Sequence, residues 1–138
     1  MRYRLTDHTA DFGIQAFGQD LAQLFENAAF ALSDLITDTE RLAGKQTLSL
    51  TISGMDWNDL LVNWLREVLY LWNGKDLLVK ETRVRQTGEF VFSADVIHDP
   101  YDRNVHEIRN EIKAVTYHQL EVGRNADGGW YANFIVDV

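Results

Sequence analysis

Two aspartates near opposite ends of the chain carry the chemistry most worth following. Asp11 closes the polar run Asp7-His8-Thr9-Ala10-Asp11, and Asp137 stands beside the last residue, Val138. The run Trp130-Tyr131-Ala132-Asn133-Phe134-Ile135-Val136 ahead of it reads as a strand. The chain is therefore expected to be pinned in a sheet to its final residue, where most domains fray into a polar tail. The carboxylate of Asp137 and the terminal carboxylate of Val138 would then be held side by side. Held carboxylates need a counter-charge, and a hard cation with oxygen ligands supplies one. Asp11 offers a further oxygen donor if the two ends of the chain meet, which is the central expectation. His8 is a less natural member of such a set, because a neutral imidazole suits zinc or another transition metal better than calcium. The plainer readings stay open. Asp and Thr side chains in a loop commonly hydrogen-bond their own backbone, and Asp137 can be an exposed residue on an edge strand.

Two further clusters could do chemistry. His98-Asp99-Pro100-Tyr101-Asp102-Arg103 reads as a polar loop after a strand, in which the acids either bind a cation or act as ordinary turn residues. Glu111-Ile112-Lys113-Ala114-Val115-Thr116-Tyr117-His118 reads as a strand. Glu111, Lys113, Val115 and Tyr117 fall on one of its faces; Ile112, Ala114, Thr116 and His118 fall on the other. Lys113 is then either half of a surface ion pair, worth at most about 1 kcal/mol, or a partner contact in a polar cleft. Other chemistries are excluded. The chain has no cysteine, hence no disulfide, thiolate metal site or cysteine nucleophile. No phosphate loop, dinucleotide fingerprint, nucleophile elbow or EF-hand loop occurs. His106-Glu107 starts like a zincin helix but has Asn110 where the second His is required.

Positioning these groups falls to two helices and several strands. Asp20 is an N-cap with Gln23 in the place of a capping-box partner. Leu21, Leu24, Phe25, Ala28, Leu32, Leu35 and Ile36 then form one apolar face at i, i+3, i+4 spacing. Asp56 caps a second helix with the stripe Trp57, Leu60, Leu61, Trp64, Leu65, Val68, Leu71 and Trp72, and Asn73-Gly74 is expected to stop it. At that spacing the tryptophans read as core and not as a ligand box. Residues 47–52 alternate with period two. The segments 77–84 and 89–96 flank Gln86-Thr87-Gly88, which reads as a hairpin turn. The late strand continues through 119–124 and meets the last strand across Asn125-Ala126-Asp127-Gly128-Gly129. Residues 3–6 and 13–17 complete the set. The expected fold is α+β, two helices packed on a mostly antiparallel sheet, in a single compact domain spanning 1–138. No internal repeat is evident.

The bulk numbers agree. The 138 residues are 46% hydrophobic and 12% aromatic, enough for a core that needs no staple. Net charge is −8 with a pI near 4.8 and no basic stripe, so contact with RNA is expected to run through a partner. Neither a signal-peptide h-region nor a membrane-length apolar stretch is present, and a cytoplasmic location is the expectation.

Taken together, Asp7-His8-Thr9-Ala10-Asp11, the octapeptide from Glu111 to His118 and the ending Ile135-Val136-Asp137-Val138 resemble the archease family. Trp64-Leu65 and Glu67 in the second helix add to a likeness that covers essentially the whole chain. Phe12 stands where a smaller aliphatic residue is more familiar, and Gln119 follows His118 where Gly is common. The resemblance implies an accessory protein of the RtcB-type RNA-splicing ligase, which joins RNA ends with GTP and manganese. The accessory protein promotes guanylylation of the ligase and its repeated turnover. The resemblance further implies a bound divalent cation, Ca2+ in the usual description, with Asp11, Asp137 and Val138 as ligands. His8, Lys113 and His118 are the candidate partner contacts. RNA is touched only through the ligase, and no membrane is involved. The competing reading is a metal-dependent hydrolase in which the same carboxylates and His8 hold a metal that activates water. A general chaperone fits less well, because the polar clusters outweigh any apolar groove.

Overall fold

A computed structural model of the chain describes residues 1–6 and 11–138. The elements run β1 (Tyr3–Thr6), β2 (Phe12–Gly18), α1 (Leu21–Ile36), β3 (Gln46–Ser53), α2 (Trp57–Lys75), β4 (Leu77–Gly88), β5 (Val91–Pro100), β6 (Ala114–Arg124) and β7 (Trp130–Asp137). A 3-10 turn, Thr39–Arg41, follows α1. The expected α+β architecture is the one observed, with every strand pair antiparallel. The strands divide between two sheets, ordered β1-β2-β7-β6 and β3-β5-β4. Both helices bridge them, α1 packing on β2 and β4, and α2 on β6 and β4.

Both helices start by the same physics. Asp20 accepts the Gln23 N–H at 2.8 Å, and the Gln23 side chain reaches back to the N–H of Gln19 at 2.7 Å. Asp56 and Asp59 repeat the pattern, with Asp59 accepting from Met55 at 2.8 Å. The glycine two residues before each cap, Gly18 or Gly54, lets the strand end lie on the helix's first turn. A Cβ on Gly54 would sit 2.5 Å from the Leu60 nitrogen, and one on Gly18 would be closer still to Leu24. The two strand-to-helix junctions are thus a short structural repeat. It escapes a sequence scan because only Gly, Asp and Leu recur.

The apolar stripes are buried as the spacing requires. Leu24, Phe25, Ala28 and Leu32 of α1 and Leu60, Leu61 and Leu65 of α2 are fully enclosed. Trp64 is core, its Nε1–H donating to the Phe25 carbonyl at 2.9 Å, while Trp57 and Trp72 are half-buried at the margin. Ile14 and Ala16 of β2 and Ala132, Phe134 and Val136 of β7 close the core from one sheet; Phe92, Ala94 and Val96 of β5 close it from the other.

Four local expectations are corrected. The second helix does not stop at Asn73-Gly74 but runs to Lys75. Asp76 then turns left-handed (φ 55°), and its N–H reaches the Leu71 and Trp72 carbonyls. The hairpin turn is Glu89-Phe90, not Gln86-Thr87-Gly88, and the strand continues through those residues with a register shift between Gln86 and Gly88. Phe90 holds a left-handed conformation (φ 53°) with its ring edge-on to Trp57, 4.6 Å between centroids. That packing offsets a turn geometry that sequence rules assign to Gly or Asn. His98 and Asp99 lie buried inside β5 and not in a polar loop. The late strand begins at Ala114, not at Glu111, because Lys113 donates its N–H to the Asp137 carbonyl (2.7 Å) from an irregular segment. It is then broken by a wide bulge, residues 117–120 standing opposite Phe134 alone between the pairs Thr116↔Ile135 and Glu121↔Asn133.

Candidate functional site

The pairing of β2 with β7 brings the two ends of the chain together. Its outermost pair is Phe12↔Val136; Asp137 is the next residue of β7, and Asp11 lies in a bend one residue ahead of β2. Both aspartates are half-buried, and neither has a cationic side chain within ion-pair distance among the described residues. Alternation puts Asp137 on the sheet face turned away from the helices, because Phe134 and Val136 take the inward positions. Val138 follows, 42% exposed. The donors on offer are therefore carboxylate oxygens, the kind a hard divalent cation takes. Among the described residues no three His, Cys, Asp or Glu side chains gather as a metal site. A cation here would need the terminal carboxylate, backbone carbonyls or water in addition to the two aspartates. His8 lies outside the described residues.

Lys113 adjoins this end of the sheet through its bond to the Asp137 carbonyl, and Asp137 pairs with Ala114. The Lys113 side chain is exposed and lines a surface cavity of about 330 Å³ with Asp76, Glu111 and Trp72. Asn73, in the last turn of α2, holds the approach by donating to the Ile112 carbonyl at 2.9 Å. His118 is exposed but stands apart, inside the bulge beyond the Thr116↔Ile135 pair. Its neighbour Gln119 is left-handed (φ 55°), a conformation natural to Gly.

One feature was not visible in the sequence. The outward face of the sheet carries a polar row across all four strands, formed by the pairs Arg4↔Gln15, Gln15↔Asn133 and Asn133↔Glu121. Arg4 Nε donates to Gln15 Oε1 at 2.7 Å. The β6 bulge walls this face into a cavity of about 520 Å³. Period-two alternation marks each of these residues as outward, but only strand order puts them in line.

Asp99 has a different fate from the one weighed for it. It is 2% exposed, and its carboxylate accepts the N–H groups of Ala43 (2.6 Å), Gly44 (3.1 Å) and Lys45 (2.8 Å). Burial pushes its pKa up, but the three N–H bonds together outweigh burial and hold it below the ordinary carboxylate range. Its acceptor capacity goes to fastening the loop ahead of β3, so it is no cation ligand.

The chain is similar to known proteins along its whole length. The family model described as "Archease protein family (MTH1598/TM1083)" matches residues 3–138. "Protein archease" of Methanosarcina barkeri is 38% identical, covering 99% of this chain and 96% of its own. "Protein archease" of Pyrococcus furiosus is 32% identical, covering 96% and 95%. The solution structure of Methanobacterium thermoautotrophicum protein 1598 superposes with a TM-score of 0.83 at 29% identity, covering 99% of each chain.

Proposed function

This chain belongs to the archease family, and from that premise we propose that it is an accessory factor of an RtcB-type RNA-splicing ligase. In this reading it promotes guanylylation of the ligase and its multiple turnover in tRNA splicing or RNA repair, and is not itself a catalyst. It works in the cytoplasm and meets RNA only through the ligase, which suits a protein of net charge −8. A divalent cation, Ca2+ by preference, is held by Asp11, Asp137 and the terminal carboxylate of Val138. The cation offsets the mutual repulsion of these carboxylates and stiffens the end of the sheet. Lys113 and His118, with His8, contact the partner. No helix is long and apolar enough to cross a membrane.

The observation that carries the reading is family membership over residues 3–138, supported by the position of Asp11 and Asp137 at the same end of the β2–β7 ladder. The test is a ligation time course with an RtcB-type ligase from the same source, GTP, manganese and excess RNA. Substoichiometric chain should convert limited turnover into sustained turnover and raise the guanylylated fraction of the ligase. Unchanged progress curves end the accessory reading. Hydrolysis of RNA or phosphoesters by the chain alone, dependent on metal, replaces it with the hydrolase.

A further inference from the structure

Among the described residues, the end of β7 is held from one side. The β2–β7 register stops at Phe12↔Val136, one pair short of Asp137. On the other side Asp137 pairs with Ala114, and its carbonyl accepts the Lys113 N–H at 2.7 Å. A strand residue in an antiparallel ladder turns its N–H and C=O to the same side, so the backbone of Asp137 faces β6. Whatever fixes Lys113 therefore fixes where Asp137 and Val138 stand. Ile112, just before Lys113, is 1% exposed, so its side chain and its carbonyl are both shut off from water. That carbonyl accepts the Asn73 Nδ2–H at 2.9 Å. The Ile112 C=O and the Lys113 N–H belong to one peptide group, which is trans and planar, and points these two bonds in opposite directions. One rigid plane thus links Asn73 to the Asp137 carbonyl. A bond accepted at its oxygen polarises the group and strengthens the bond that its N–H makes. Earlier in the same segment the ties run to α1 instead: Arg109 N–H to the Ile36 carbonyl and Asn110 Nδ2 to the Leu35 carbonyl, each at 2.7 Å.

We propose that Asn73 is a positioning residue for the cation site: through the Ile112–Lys113 peptide it sets the place of Asp137 and, with it, of the Val138 carboxylate. This rests on the reading of that end of β7 as a cation site. The donor is well placed for the task. Asn73 lies in the last turn of α2, which the left-handed Asp76 closes by bonding the Leu71 and Trp72 carbonyls, so the helix holds the amide still. A carbonyl accepts and does not donate, which decides that Nδ2 and not Oδ1 faces Ile112. Without that donor the Ile112 carbonyl is left unpaired in a dry place, and the peptide gains by swinging towards water. The swing carries the Lys113 N–H off the Asp137 carbonyl. The two carboxylates at the end of β7 then have to be ordered by the cation itself, and affinity falls. Groups that orient metal ligands from outside commonly act in this way. The same link runs in reverse, so a bound cation should hold the Lys113 N–H more firmly in place.

Calorimetric titration of the metal-stripped full chain with calcium tests this, together with amide hydrogen exchange of the same samples read by NMR. Asn73→Leu fills the same space without a donor, whereas Asn73→Ala lets a water reach the Ile112 carbonyl. Both leave the net charge of −8 unchanged. Both also place a better helix former at an exposed position of α2, so the fold is retained. Asn73→Leu should weaken calcium binding about three- to tenfold and speed exchange at the Lys113 amide by a similar factor, with Asn73→Ala between it and the wild type. A role in packing alone predicts the reverse order, because Leu fills the space that Ala empties. Asn110→Ala cuts the same segment from α1 and should stay within about twofold of the wild type in both readings. The amides of Val122, Gly123 and Arg124, beyond the bulge, should not respond. A wild type that binds calcium while both Asn73 variants bind it equally well overturns the positioning role and leaves the cation site standing. A loss from Asn110→Ala as large as that from Asn73→Leu overturns it too. A wild type that takes up no calcium ends the cation site and the proposal together.

Discussion

Replacing Asp99 by Asn should cost about 3–4 kcal/mol of folding free energy at neutral pH. The carboxylate accepts three backbone N–H groups, two on Oδ2 and one on Oδ1. A hydrogen bond to a charged acceptor is worth about 1.5–3 kcal/mol net and a neutral one about 0.5–1.5. Asn keeps one acceptor oxygen. If that oxygen serves Ala43 and Gly44, two bonds weaken by about 1 kcal/mol each, and the amide group meets the Lys45 N–H donor against donor. The unpaired N–H adds about 1–2 kcal/mol, at the low end because Lys45 itself is exposed. The opposite flip loses two bonds and is worse. The folded pKa of Asp99 is lowered relative to an unfolded value of about 3.9. Its stabilisation is therefore complete above that value and lost as pH falls through the folded pKa. Urea unfolding of wild type and Asp99→Asn from pH 7 down through pH 3 is the assay. The gap should be largest near neutrality and close in acid, where Asp99 is protonated and resembles Asn. A gap under about 1 kcal/mol at pH 7, or one that persists unchanged into acid, refutes the account of the three-bond cradle.

Calcium should raise the melting temperature of metal-stripped protein, by about 2.7 kcal/mol of stabilisation at a hundredfold excess over the dissociation constant; Asp11→Ala should abolish most of the gain, and calorimetric titration without heat removes the site. A short C-terminal tag converts the Val138 carboxylate to a neutral amide and should weaken calcium binding and ligase activation together, while a tag at Met1 should do less harm; equal affinity in both tagged forms takes Val138 out of the ligand set. Gly18→Ala and Gly54→Ala should each cost about 3 kcal/mol, because the added Cβ meets helix backbone that cannot turn aside; chemical denaturation showing a neutral effect would mean the junctions relax. Gln119→Gly should stabilise by about 0.5–1 kcal/mol, since it relieves a left-handed residue, and a lowered melting temperature would contradict that.

Much of this protein was legible from local rules. Both helices begin at the aspartates that the sequence marks, because an N-cap bonds an amide three residues away and an apolar stripe repeats within one turn. The chemistry of Asp11 and Asp137 and the family resemblance were likewise readable, since they rest on residue type and order. Local rules failed where packing over-rode propensity. Phe90 takes the hairpin turn because Trp57 receives its ring, and Asp76 stops a helix that Gly74 was expected to end. Asp99 looked like a loop acid and is an internal acceptor, because residues 43–45 return to it from more than fifty positions away.

The sequence by itself therefore determined the element types, the two caps, the core faces and the carboxylates placed near the two ends of the chain. The tertiary structure alone decided which strands are neighbours, and with that the placing of Asp11 and Asp137 at the same end of one ladder and the polar row on the outward face. The reason is one of range. Helix signals are satisfied within a few residues. A strand's hydrogen bonds are satisfied by whichever distant segment completes the ladder, and alternation marks the face a residue takes without marking the partner it meets.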